Sequence, residues 1–117
     1  MPTNSNRLPV NVPAGSALLP PIPAELEIQP WLLAVLQASV FLGGSDKELV
    51  NPAAADEALE AMLNYLARLN EKERKRLRLD METLAAYGRQ QKWGRGELRF
   101  LKDFQAAIMA RRPDFPS

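Results

Sequence analysis

The sequence predicts an all-α fold: a small bundle of about four helices carrying an extended, proline-rich N-terminal arm. Three observations point to it. Seven of the ten prolines fall within residues 1–30, beside only three charges, Arg7, Glu25 and Glu27. From Trp31 onward, apolar residues recur at helical spacing, with no alternating strand pattern. Capping residues and breakers then divide that stretch into helices with short connections. The expected organisation is an arm over 1–29, a helical domain over 30–112 and a short tail over 113–117.

Prolines at 2, 9, 13, 20, 21, 23 and 30 forbid a continuous helix in the arm and favour extended or polyproline II backbone. Leu18, Leu19, Ile22, Leu26 and Ile28 make the arm too apolar for a purely solvating linker. Such a strap can lie in a groove of its own domain or of a partner. Pro20-Pro21-Ile22-Pro23 has the PxxP spacing that aromatic grooves recognise, but Arg7 is too far upstream to complete a docking motif. The expected partner-binding residues of the arm are Leu18, Leu19, Pro20, Pro21, Ile22, Pro23, Leu26 and Ile28.

Pro30 suits the first turn of a helix over Trp31–Leu42, where only Gln37 and Ser39 are polar. A helix apolar all round belongs at the centre of a bundle or in an interface. Gly43-Gly44 is expected to stop it in left-handed geometry. Ser45-Asp46-Lys47-Glu48 has the spacing of a capping box and a short helical turn. Asn51-Pro52 reads as an N-cap and first helical residue, opening a helix to about Leu69 with a stripe of Leu59, Met62, Leu63, Leu66 and Leu69. Asn70 and Glu73 form a second capping box for a helix to about Gln91, with Leu77, Met81, Leu84 and Gly88 on one face. Trp93-Gly94-Arg95-Gly96 breaks the pattern. A fourth helix is expected from about Glu97 to Arg111, with Leu101, Phe104 and Ile108 on one side and Pro113 beyond its end.

Composition narrows the chemistry. The chain has no Cys and no His, which removes disulfides, thiolate catalysis, the usual zinc sites and the imidazole base of most triads. Ser16, Ser39 and Ser45 therefore lack a histidine base, and Ser45 with Lys47 reads as a capping turn. Glu57 and Glu60 have the spacing of di-iron bundle ligands without the histidine that such sites need, so they read as acids decorating a helix start. Asp80 and Glu82 point to different helix faces. No phosphate-binding loop is present, and Gly94-x-Gly96 is only a fragment of a dinucleotide fingerprint. No enzyme activity, cofactor or metal is expected. The longest apolar stretch, Trp31–Leu42, falls short of the about 20 residues of a membrane span, so no membrane insertion and a cytoplasmic location are expected.

Charge is unevenly placed. Residues 1–60 hold two bases against seven acids, whereas 61–117 hold thirteen against seven. Within the run from Glu71 to Glu82, acids are spaced to neutralise bases, and a solvated helix face is expected. A denser patch is Arg89, Lys92, Arg95, Arg99 and Lys102, opposed only by Glu97 and interleaved with Trp93 and Phe100. Cations beside aromatic faces can grip phosphates and stack bases. Two functions follow as expectations. The first is a non-catalytic interaction module, a small subunit, adaptor or regulator whose arm docks on a protein partner or a second copy. The alternative is a nucleic-acid-binding protein using Arg89, Lys92, Trp93, Arg95, Arg99 and Lys102.

Overall fold

Residues 13–111 are described by the structure, a computed structural model. Residues 1–12 with Arg7, and the expected tail over 113–117, lie outside them. Four α-helices carry the fold, α1 (Pro30–Gly44), α2 (Pro52–Leu66), α3 (Glu71–Gln90) and α4 (Arg95–Ala110), and no strand occurs among the described residues. The chain is all-α, as its sequence predicts. Two compact units divide it, Met1–Asp56 and Glu57–Ser117, with the boundary inside α2. The arm thus belongs with α1 in one unit.

In the first unit the arm is a strap running antiparallel to α1. Gly15 O accepts from Asp46 N at 2.9 Å, Ala17 N donates to Ser45 Oγ at 2.9 Å, and Leu19 N donates to Gln37 Oε1 at 2.9 Å. An extended backbone without a neighbouring strand must find donors and acceptors elsewhere, and here α1 and its C-terminal turn supply both. Gly15 has φ +89°, and the Asp46 side chain fills the space where a Cβ would stand, so only glycine fits this crossing. The strap turns through one 3-10 turn, Ala24–Leu26, whose C-cap Glu27 is left-handed. It then enters α1 at Pro30.

Two expectations for this unit are corrected. The expected turn forms, since Leu49 N and Val50 N both donate to Asp46 O, at 2.9 and 3.0 Å, but without a capping box: the Ser45 hydroxyl accepts from Ala17 N of the arm instead. Gly43 and Gly44 do not stop α1 in left-handed geometry. They lie in its last turn, and the helix ends at Ser45, which is extended. The even apolarity of α1 also does not become even burial. Leu32, Leu36 and Ser39 are buried, whereas Trp31 and Phe41 are each 37% exposed. Ser39 Oγ is buried without a hydrogen-bond partner among the described residues.

In the second unit local signals set the helix starts. Asn70 Oδ1 accepts from Glu73 N at 2.8 Å while Glu73 Oε1 accepts from Asn70 N at 2.9 Å, the reciprocal box expected from the sequence. In the first unit a local signal does the same, since Asn51 Oδ1 accepts from Ala54 N at 3.0 Å and caps α2. The second helix ends at Leu66, three residues short of expectation. Leu77, Met81, Leu84 and Gly88 are buried on α3, and Leu101, Phe104 and Ile108 on α4. Asp80 is buried too, and its carboxylate accepts from Arg76 Nε at 2.9 Å.

Arg74 corrects the expectation that the 71–82 run is a solvated face. Its guanidinium donates to four carbonyls: Leu69 O at 3.1 Å, Ala67 O at 2.9 Å, Ile108 O at 3.2 Å and Arg111 O at 2.9 Å. These oxygens sit where the chain leaves α2 and where α4 ends. Carbonyls at helix ends run short of backbone donors and carry the negative end of the helix dipole, although Ile108 O also accepts from Arg111 N at 3.1 Å. One planar cation with five donors thus closes two helix ends at once. Beside it, Arg111 donates to both Glu60 carboxylate oxygens, at 2.9 and 3.0 Å, and to Asn64 Oδ1 at 2.8 Å. Glu60 is therefore more than helix-start decoration. Because this pair is largely exposed, it adds well under about 1 kcal/mol.

Candidate functional site

The α3–α4 hairpin holds the basic patch that the sequence singles out. Its turn is built by Lys92, which takes φ +60°. Lys92 N donates to Arg89 O at 3.1 Å and Trp93 N to Gly88 O at 2.9 Å. This is the two-bond pattern that commonly ends helices, with lysine where glycine is usual. A left-handed L-residue is strained by roughly 1–2 kcal/mol. Lys92→Gly is therefore expected to raise stability by about 0.5–1 kcal/mol after the greater unfolded-state freedom of glycine is offset. Thermal denaturation checks this, and a lowered midpoint would contradict it.

Trp93 folds back over Gly88. A Cβ at that position would come within 2.5 Å of Trp93 Cε3, so α3 must be bare there. The indole also meets Tyr87 edge-on, with ring centroids 5.9 Å apart. Phe100 stacks on Phe104 at 5.8 Å. Both aromatics of the expected base-stacking surface are thus engaged within the hairpin. Gly94 serves as the N-cap of α4 and Gly96 lies in its first turn, which accounts for that glycine pair without a phosphate loop.

Beside this turn the two helices enclose an open groove of about 620 Å³. Its base is apolar: Met81 and Leu101 are buried, and Ala85 and Leu98 half-buried. Around it stand Arg89, Arg95, Arg99 and Lys102, all exposed, with Glu82 as the one lining acid among the described residues. None of these four cations makes an ion pair or side-chain hydrogen bond with a described residue. Four of the six residues expected to bind nucleic acid are therefore brought to one groove, whereas Lys92 and Trp93 are not among its lining.

The clustering follows from helix geometry. Arg95, Arg99 and Lys102 are four and three residues apart, so they share one face of α4. The antiparallel return of α4 brings that face beside Arg89. The apolar base was not legible as a site: Met81 and Leu101 read as core positions of two separate helices, and Ala85 and Leu98 carried no signal of their own.

The arm residues distribute differently. Leu19 and Ile28 are buried, Leu18, Pro20, Ile22, Pro23 and Leu26 are half-buried, and Pro21 is exposed. Pro23 has φ −71° and ψ 144°, polyproline II dihedrals. Leu19 and Ile28 are thus occupied within their own chain, and the 20–23 segment is held extended with part of its surface open.

Among the described residues no group of three or more His, Cys, Asp or Glu stands together to hold a metal ion. No described helix is long and apolar enough to cross a membrane. No protein-family model matches this sequence, and comparison with curated proteins and with solved structures finds no significant similarity.

Proposed function

We propose that the chain is a non-catalytic protein–protein interaction module, a small subunit, adaptor or regulator of a larger cytoplasmic assembly. The observation that carries this reading is the α3–α4 groove, where an apolar base lies among four cations that have no ion-pair partner among the described residues. Interfaces combine these features: apolar contact supplies affinity, and complementary charge steers encounter and fixes register. The arm's open segment, Pro20–Pro23, is a secondary contact in this proposal, pre-ordered by its attachment to α1.

Binding of nucleic acid by the same cations is the second reading. The groove favours it through charge alone, since Trp93 and Phe100 are turned to neighbours inside the hairpin.

Isolation of the native complex at moderate salt, with and without nuclease, tests the two. The expected result is a stoichiometric protein partner that survives nuclease and is lost from an Arg95→Glu/Arg99→Glu variant with unchanged helical content. Both positions are exposed, so the reversal does not disturb the fold. Nuclease-sensitive co-elution, or a protein partner retained by the variant, overturns the proposal.

A further inference from the structure

Resting on the interaction reading above, we infer that the groove receives an acidic amphipathic helix of a partner protein, about three turns long. Its dimensions set the length. The α4 side of the lining runs from Arg95 to Gln105 and the α3 side from Met81 to Arg89. At about 1.5 Å per residue these walls are roughly 12–15 Å long, the length of two to three helical turns.

Its chemistry sets the character of the occupant. Met81, Ala85, Leu98 and Leu101 offer an apolar strip between the walls. A helix fills such a strip with side chains at i, i+3, i+4 and i+7. The residues flanking that stripe then lie against Arg89, Arg95, Arg99 and Lys102, where carboxylates gain charge-assisted hydrogen bonds. A phosphate backbone would use the cations but leave the apolar strip unmatched, and among the described residues no aromatic ring lines the groove to take a base.

Charge is also polarised along the groove. Arg89 and Arg95 stand at the hairpin end, whereas at the far end Glu82 on α3 offsets Lys102 on α4. A bound helix therefore directs its C-terminus, the negative end of its dipole, toward the hairpin.

Synthetic peptides of about 12 residues test this against the full chain. One has leucines at i, i+3, i+4 and i+7 flanked by glutamates, and the second is its scrambled isomer. Single-stranded oligothymidylate and phosphatidylserine vesicles serve as the other probes. The amphipathic peptide is expected to bind at least about tenfold more tightly than its scrambled isomer, to gain helical circular dichroism on binding, and to lose at least that factor against Arg95→Glu/Arg99→Glu. A spin label at its C-terminus is expected to broaden the amide signals of Arg89 and Arg95 before that of Glu82. Equal affinity for both peptides, or tighter binding of oligothymidylate or vesicles, overturns the inference. Broadening first at Glu82 overturns the orientation. If a native protein partner is still lost on charge reversal while neither peptide is preferred, the interaction module stands and its helical occupant falls.

Discussion

Arg74→Leu is expected to lower the stability of the second unit by about 2–4 kcal/mol. The guanidinium donates to four carbonyls, and leucine leaves all four without that donor. Hydrogen bonds to a charged group contribute about 1.5–3 kcal/mol each when well formed. Arg74 is only half-buried, so water can take over part of the role, and the sum is correspondingly reduced. For a unit of this size each kcal/mol moves the melting midpoint by about 4–8 °C. Arg74→Lys is expected to recover less than half of the loss, because a point ammonium cannot reach four acceptors lying in different directions. Thermal unfolding followed by circular dichroism checks both variants. A stability within about 0.5 kcal/mol of the parent for Arg74→Leu would show that the clamp is ornamental.

Leu36→Asp is expected to abolish cooperative folding of the first unit. Leu36 is fully buried, in a fifteen-residue helix that contains no charge. Loss of its burial removes about 1.5–3 kcal/mol, and an unpaired carboxylate in that position adds several kcal/mol more. Leu36→Ala separates volume from charge and is expected to cost about 2–5 kcal/mol while retaining a sigmoidal melt. Leu63→Asp, equal to Leu36→Asp on sequence grounds, is expected to be the milder change, since Leu63 is half-buried. A cooperative melt of Leu36→Asp near that of the parent would refute the burial of α1.

These two residues mark what a sequence can and cannot disclose. The capping box of Asn70 and Glu73 was legible because both partners lie within one turn, and local chemistry decides it. The stripe of α3 was legible for the same reason: its spacing is a property of one helix. Arg74 was not. It stands in a run of alternating charges whose solvated reading suits its neighbours, and two of its acceptors are 34 and 37 residues away. At Ser45 the turn was legible and the capping box was not: the hydroxyl placed to cap the turn accepts from the distant arm instead. In α1 the obstacle was the reverse. A helix with almost no polar residue carries no label for its inner face, so only the folded unit distinguishes Leu36 from Phe41. The groove was half legible: its cations announce themselves, whereas its apolar base exists only once the hairpin fixes the register of α3 against α4.

The placement of the two tryptophans gives each unit its own optical reporter. Trp31 opens α1 in the first unit with 37% of its surface in water, and Trp93 lies over Gly88 in the second. The indole of Trp93 meets Tyr87 edge-on above Gly88, so its emission reports the integrity of the turn that shapes the groove. With either indole replaced by phenylalanine, the emission of the other follows one unit alone. Fluorescence can thereby resolve whether the halves of this chain melt together or in succession, without any added dye.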